Sequence, residues 1–162
     1  MDSALNKFNL SSLIERGGVY HDINGTNPKE LVTALIELIP PVSGLDKKFL
    51  INAVMEREAL VSTGIGRGIA LPHPRSPVFT ASPMVLLAFP VQPIDWKSPD
   101  GGKIHTVFLI LSASAKQHIG TLSEINFLSK QENFYTLLQK HASKEEIIKE
   151  ILKAESSWTE KE

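Results

Sequence analysis

Apolar residues recur every three or four positions along much of the chain, which is the spacing of a helix with one buried face. The clearest example is the stripe formed by Leu31, Leu35 and Leu38. Asn27 before this stripe is a favourable N-cap residue, and Pro40 after it lacks the backbone N–H that a helix needs. We therefore predict a helix that begins beside Asn27 and ends before Pro40.

Capping signals predict several further helices. One begins near Asp46, and a short one covers residues 11–16. A serine followed three residues later by glutamate or glutamine fits a capping box, and three such pairs are Ser114 with Gln117, Ser129 with Glu132, and Ser143 with Glu146. The last helix is expected to complete a core that spans about residues 10–152, with residues 155–162 forming a frayed polar tail.

Apolar runs rich in branched residues predict strands at residues 19–23, 69–71, 84–89 and 104–111. Residues 62–68, Ser-Thr-Gly-Ile-Gly-Arg-Gly, contain too many glycines for either regular element and are predicted to form a loop. The mixture of helices and strands favours an α/β protein in which helices pack on a sheet. We find no internal linker, so residues 1–162 are predicted to form a single domain.

The composition restricts the function without identifying it. Hydrophobic residues make up 42% and charged residues 22% of the chain, as in soluble globular proteins. The formal net charge of -1 gives no indication of nucleic-acid binding, and the apolar runs are too short for membrane insertion. The lack of cysteine excludes disulfides and thiolate chemistry and favours a cytoplasmic location. The five histidines are then the strongest candidates for chemistry near neutral pH.

His73 is distinctive because it follows a short predicted strand and lies between Pro72 and Pro74. Proline fixes its own φ and restricts the residue before it, so the backbone of His73 is held extended. The glycine-rich loop before the strand can turn backbone N–H groups towards an anion. Arg57 and Arg67 flank this loop, and guanidinium groups suit phosphoryl oxygens. This combination predicts a phosphohistidine site.

Residue spacing alone leaves an alternative open, in which the glycines form a surface turn and His73 has no chemical role. The glycines do not fit a dinucleotide-binding loop, which needs a strand before it and a helix after it. They do not fit a nucleoside-triphosphate loop either, because no Gly-Lys-Ser/Thr follows. No cluster of histidine and carboxylate residues has the spacing of a metal site, so neither a metal nor another cofactor is predicted.

Two stretches of the chain occur in the order and at the separation typical of one protein family. The first is Arg57-Glu58 followed by residues 62–73, Ser-Thr-Gly-Ile-Gly-Arg-Gly-Ile-Ala-Leu-Pro-His. The second is Phe-Leu-Ile-Leu at residues 108–111 followed by His-Ile-Gly-Thr-Leu at residues 118–122. Together they resemble the fructose/mannitol-type enzyme IIA domains of the bacterial phosphotransferase system. The resemblance covers nearly the whole chain and implies a mixed sheet flanked by helices.

The resemblance also implies roles for individual residues. His73 matches the histidine that accepts a phosphoryl group from a histidine-containing phosphocarrier protein. His118 matches a second active-site histidine that hydrogen-bonds this group, and Arg57 matches an arginine that neutralises its oxygens. Donor and acceptor are both imidazoles, so the transfer requires no nucleotide or metal. The loop residues predicted to bind phosphate are Thr63, Gly64, Gly66 and Arg67.

Enzyme IIA domains of this type serve two kinds of partner. Some pass phosphate to the IIB domain of a sugar transporter, and others bind regulated target proteins according to their phosphorylation state. The sequence Thr-Gly-Ile-Gly-Arg-Gly-Ile-Ala resembles the nitrogen-regulatory branch, and no IIB domain or membrane segment is attached, so a regulatory role is predicted. Two alternatives stay open: transfer to a IIB domain, and a protein-interaction module of the same fold that is no longer phosphorylated.

Overall fold

The structure is a computed structural model, and it describes residues 9–41, 45–76 and 78–160. The helices are α1 (Leu10–Gly17), α2 (Pro28–Glu37), α3 (Lys47–Leu60), α4 (Ala115–Ser129), α5 (Glu132–Gln139) and α6 (Lys144–Glu160). The strands are β1 (Val19–Ile23), β2 (Gly64–Gly66), β3 (Ile69–Ala70), β4 (Met84–Pro90) and β5 (Thr106–Leu111).

The strands form one five-stranded mixed sheet in the order β1-β4-β5-β3-β2. The pairs β1–β4 and β3–β5 are parallel, whereas β4–β5 and β2–β3 are antiparallel. Every residue of β4 and β5 is buried, which explains why both strands are continuous apolar runs rather than alternating ones. The mixed α/β fold expected from the sequence is confirmed.

Successive residues of the central strands point to opposite faces of the sheet and enter two separate hydrophobic clusters. Leu87 and Phe89 pack on one face with residues of α1, α4, α5 and α6. Leu86 and Ala88 pack on the other face with residues of α2 and α3. Helices therefore cover both faces of the sheet, and the ends of its strands remain available for a site. Among the described residues, no helix is both long and apolar enough to cross a membrane.

Side-chain caps begin α2 and α6 where the sequence predicts them. Oδ1 of Asn27 accepts the backbone N–H of Glu30 at 2.9 Å at the start of α2. Oγ of Ser143 accepts the N–H of Glu146 at 3.2 Å at the start of α6. Each bond satisfies a backbone donor that the first helical turn leaves free, so the local sequence alone fixes these two helix starts.

The other two capping boxes differ from the prediction. Oγ of Ser114 accepts the N–H of Gln117 as expected, but the Gln117 side chain accepts the N–H of Ala113 instead of that of Ser114. The box predicted to begin at Ser129 is wrong. Ser129 ends α4, and its hydroxyl donates to the carbonyl oxygen of Asn126 in the preceding turn.

Two further predictions are wrong because long-range contacts outweigh local composition. The glycine-rich loop contains the short strand β2, which pairs with β3 despite its two glycines. Helix α6 continues to Glu160 rather than fraying after Ala154. Its extension carries Glu155, whose buried carboxylate accepts hydrogen bonds from the backbone and side chain of Ser11. Residues 161–162 of the predicted tail lie outside the described residues.

Candidate functional site

Hydrogen bonds to the sheet hold the backbone just before His73 on both sides. The N–H of Leu71 donates to the carbonyl oxygen of Thr63, and the N–H of Ile110 donates to the carbonyl oxygen of Pro72, both at 3.0 Å. The second bond continues the parallel pairing of β3 and β5 beyond the end of β3. His73 is thereby presented at the edge of the sheet where these two strands end.

The imidazole of His73 has one ring nitrogen engaged and one free for chemistry. Its Nδ1 lies 2.8 Å from the carbonyl oxygen of Leu71. Because a carbonyl oxygen can only accept a hydrogen bond, Nδ1 carries the proton of the neutral ring. The lone pair of that ring is then on Nε2. His73 is half-buried, so this nitrogen belongs to a partly desolvated ring.

His118 lies beside His73 although it is distant in sequence. Strands β3 and β5 are parallel and end at the same edge, and α4 begins shortly after β5. His118 is in the first turn of α4, and its ring centre is 4.5 Å from that of His73, with the two ring planes tilted by 57°. Its Nδ1 lies 3.2 Å from Oγ of Ser112. The helix N-terminus adds positive potential to this part of the site.

Arg57 comes from the last turn of α3. Its Nη1 donates to the carbonyl oxygen of Val61 at 2.7 Å, which holds the guanidinium group against the end of its own helix. Arg57 lines the same cleft as both imidazoles, and its charge lowers the pKa of His73 and that of His118. The sequence-predicted trio of His73, His118 and Arg57 is therefore brought together.

The environment favours the neutral form of both imidazoles. Burial lowers the pKa of His73, and Arg57 lowers it further, while the hydrogen bond to Leu71 acts in the opposite direction. Burial, together with the neighbouring His73 and Arg57, lowers the pKa of His118 to about 4. Neutral rings near pH 7 are what a nucleophilic imidazole and a hydrogen-bonding partner require.

The trio lines an open cleft of about 420 Å³. Apolar side chains form much of its rim and are unusually exposed: Leu60 by 62%, Ile119 by 64% and Phe79 by 41%. Arg75 also lines the cleft and is exposed. Arg75 was not predicted, although its position two residues after His73 was an available signal.

The glycine-rich loop supports the site without lining its cleft. The N–H and hydroxyl of Thr63 both donate to the carboxylate of Glu58, and the N–H of Gly64 donates to Oγ of Ser62. The cleft is not lined by Thr63, Gly64 or Gly66. These contacts fix the loop and, through it, the backbone of Leu71. The supporting role of Glu58 was not predicted, although it adjoins Arg57 in the first family stretch.

Arg67, the fourth residue predicted to bind phosphate, is directed elsewhere. Its Nη1 donates to the carbonyl oxygen of Ser129 at 3.1 Å, and its guanidinium carbon lies 3.8 Å from the centre of the Tyr135 ring. It does not line the cleft. The structure therefore does not bring Arg67 together with His73.

The chain matches the family described as "Phosphoenolpyruvate-dependent sugar phosphotransferase system, EIIA 2" over residues 13–154. The protein belongs to this family. This EIIA chain is 27% identical over 158 residues to the nitrogen regulatory protein of Klebsiella oxytoca, covering 96% of each. It is also 27% identical over 150 residues to the fructose-specific EIIABC component of Bacillus subtilis, covering 91% of this chain but only 21% of that relative.

Solved structures share the fold of this EIIA chain. Nitrogen regulatory protein IIA-Ntr from Neisseria meningitidis superposes with a TM-score of 0.72 at 24% identity, covering 83% of this chain and 93% of that one. Enzyme IIAMTL in its complex with phosphorylated enzyme IIBMTL from Escherichia coli gives a TM-score of 0.67 at 14% identity, covering 84% and 94%. The family resemblance stated from the two sequence stretches is confirmed.

Proposed function

We propose that this chain is a phosphocarrier whose His73 accepts a phosphoryl group from a phosphohistidine of a histidine-containing phosphocarrier protein. One observation carries the proposal: the bond between Nδ1 of His73 and the carbonyl oxygen of Leu71 leaves Nε2 as the basic nitrogen, beside His118 and Arg57. Family membership supports the same chemistry.

In the proposed transfer, the lone pair on Nε2 of His73 attacks phosphorus, and an N–P bond forms. The P–N bond of the donor breaks, and the donor imidazole leaves with its electron pair. Nδ1 of His73 keeps its proton, and the Leu71 carbonyl stabilises the positive charge that the ring acquires. Arg57 offsets charge on the phosphoryl oxygens, and His118 hydrogen-bonds one of them. Positioning and charge stabilisation account for catalysis, as in phosphoryl transfer generally.

The surroundings of the cleft favour a protein as the phosphoryl donor. The exposed side chains of Leu60, Phe79 and Ile119 surround the two imidazoles with apolar surface. A small phosphorylated metabolite gains little from such a rim, whereas a protein partner buries it. The donor is therefore expected to place its own phosphohistidine into the cleft and to cover these side chains.

For the destination of the phosphoryl group, we propose regulation of target proteins according to phosphorylation state. The similarity to a nitrogen regulatory protein over 96% of each chain supports this role. Transfer to a IIB domain is the second candidate, which the similarity to a fructose-specific component and the fold shared with enzyme IIAMTL in its IIB complex support. The cytoplasmic location predicted from the sequence stays a prediction.

The test is to incubate the protein with phosphoenolpyruvate, enzyme I and the phosphocarrier protein, with the phosphoryl group labelled. We expect acid-labile label on the wild type and none on His73→Ala. His105→Gln is the matched control, because His105 bonds to the carbonyl oxygen of Arg67 and does not line the cleft. Equal labelling of wild type and His73→Ala would place the phosphoryl group on another residue and reject His73 as its acceptor. An unlabelled wild type would reject the proposal and favour a non-phosphorylated interaction module.

The labelled protein also distinguishes transfer to a IIB domain from regulation of target proteins. Loss of label on mixing with a purified IIB domain of a sugar transporter supports the transport role. Retention of label, together with partners that bind only one phosphorylation state, supports the regulatory role.

A further inference from the structure

Ser112 lies at the edge of the sheet where His73 and His118 meet. It is the residue directly after β5, it is only 5% exposed, and its Oγ is 3.2 Å from Nδ1 of His118. Its backbone carbonyl oxygen accepts the N–H of Thr80 at 2.9 Å, so the main chain of Ser112 is held as well. The serine hydroxyl is therefore in a fixed position relative to the imidazole.

The single hydrogen of the serine hydroxyl determines which of these two groups donates. A hydroxyl has one hydrogen, and a buried hydroxyl hydrogen without an acceptor carries a substantial energetic cost. In the part of the chain that the structure describes, His118 is the one hydrogen-bond partner of Ser112 Oγ. If Nδ1 of His118 donated, the serine hydrogen would have no acceptor among the described protein groups. Donation from the serine satisfies both groups.

The protonation of His118 then follows. The pKa of His118 is lowered to about 4 by burial and by the neighbouring His73 and Arg57, so the ring is neutral near pH 7 and carries a single proton. An Nδ1 that accepts the serine hydrogen has no proton of its own. The ring proton is then on Nε2, the nitrogen remote from Ser112.

We propose that Ser112 is a positioning residue, whose hydroxyl holds His118 as the Nε2–H tautomer, the opposite of the tautomer that Leu71 imposes on His73. This proposal rests on the proposed phosphorylation of His73. It gives the two imidazoles complementary roles: His73 offers a bare Nε2 to phosphorus, and His118 offers an N–H to a phosphoryl oxygen. With the other tautomer, His118 would direct a lone pair at the anion.

The direct test measures the tautomer in the unphosphorylated protein. Long-range ¹H–¹⁵N correlation spectra distinguish a protonated from an unprotonated ring nitrogen, and the His118 signals are identified by their loss in His118→Gln. We expect protonated Nε2 and unprotonated Nδ1 in the wild type and in Ser112→Thr, which keeps the hydroxyl. In Ser112→Ala we expect the two nitrogen shifts to move towards one another as both tautomers become populated.

The kinetic test compares phosphorylation by the phosphocarrier protein. We expect Ser112→Ala to be slower by about 5- to 10-fold, the size of one lost hydrogen bond, with Ser112→Thr recovering most of the rate. Ser129→Ala is the matched control. It removes another buried serine hydroxyl, at the opposite end of α4, where that hydroxyl bonds to Asn126. Its His118 spectrum and its phosphorylation rate should both equal those of the wild type.

A wild-type spectrum with the proton on Nδ1 of His118, or unchanged nitrogen shifts in Ser112→Ala, overturns the assignment. The wild-type spectrum decides the question even if Ser112→Ala fails to fold. The spectrum is recorded on the unphosphorylated protein, so it reports the tautomer of His118 whether or not His73 accepts phosphate. A lack of label on His73 would reject the proposed function and leave the tautomer assignment unaffected. If His118 of the wild type has its proton on Nε2 but Ser112→Ala is phosphorylated as fast as the wild type, the positioning role of Ser112 is rejected.

Discussion

The guanidinium group of Arg67 lies on the ring of Tyr135, with 3.8 Å between the guanidinium carbon and the ring centre. The backbone of Arg67 is part of the same contact, because its carbonyl oxygen accepts the Tyr135 hydroxyl at 2.9 Å. Arg67 also has a positive φ of 58°, a conformation that costs energy in a residue other than glycine. An arginine held in this way ties the loop between β2 and β3 to α4 and α5.

We predict that Arg67→Ala destabilises the fold without slowing phosphorylation. The substitution removes a cation–π contact and a hydrogen bond to Ser129, which together contribute about 1–2 kcal/mol to the free energy of unfolding. Urea unfolding measures this loss, and the phosphorylation rate of His73 should stay within about twofold of the wild type. A much slower rate in a folded variant would return Arg67 to the phosphate-binding residues.

We predict that Arg57→Ala slows phosphorylation, which Arg67→Ala leaves nearly unchanged. Loss of the guanidinium charge should slow phosphorylation by about 100-fold, the usual effect of removing one group that stabilises an anionic transition state. The pKa values of His73 and His118 should both rise, because Arg57 lowers both in the native protein. Kinetic assays and NMR titration of the two rings provide the measurements. Lys149→Ala, which removes an exposed cation from α6, serves as the control and should change neither quantity.

His118 should make the fold less stable in acid. Its pKa is lowered from 6.5 to about 4 in the native state, so between these values the unfolded chain binds more protons. The free energy of unfolding therefore falls as the pH decreases from 6.5 towards 4. In His118→Gln this side chain no longer titrates, and the decline should be shallower. Urea unfolding at several pH values tests this, and parallel curves for the two proteins would contradict it.

Glu124 should have the opposite pH dependence. Burial and the neighbouring carboxyl of Glu155 raise its pKa from 4.5 to about 8 in the native state. The native protein therefore binds more protons than the unfolded chain in this interval, and stability is lost as the pH rises from 4.5 through 8. Glu124→Gln stays neutral, so at pH 8 it should exceed the wild type in unfolding free energy by about 1–2 kcal/mol. Glu145→Gln, on the exposed face of α6, is the control and should have the same free energy of unfolding at pH 8 as the wild type.

Local chemistry made much of the fold predictable. Asn27 and Ser143 cap their helices through side chains three residues from their partners, and the buried strands are evident as apolar runs. Contacts between distant residues account for the errors. The stabilisation of α6 near Glu155 depends on Ser11, which is 144 residues away, and no local pattern contains that information.

The candidate site also combines residues that local patterns indicate with contacts that only the fold determines. Spacing and resemblance indicated His73, His118 and Arg57, which the fold brings together. They also indicated Arg67, because a guanidinium group beside a glycine-rich loop suits phosphate. Its actual partner, Tyr135, is 68 residues further along the chain and competes for the same cation. Which partner a long side chain contacts depends on tertiary geometry rather than on spacing.

The parallel pairing of β3 with β5 has a consequence for newly made chains. The bond from Ile110 to the Pro72 carbonyl, and with it the approach of the two imidazoles, forms only when chain segments far apart in sequence have met. Such non-local contacts are expected to form late during folding. Uptake of phosphate from the carrier should therefore lag behind helix formation during refolding, so that the acceptor becomes competent only in molecules whose assembly is finished.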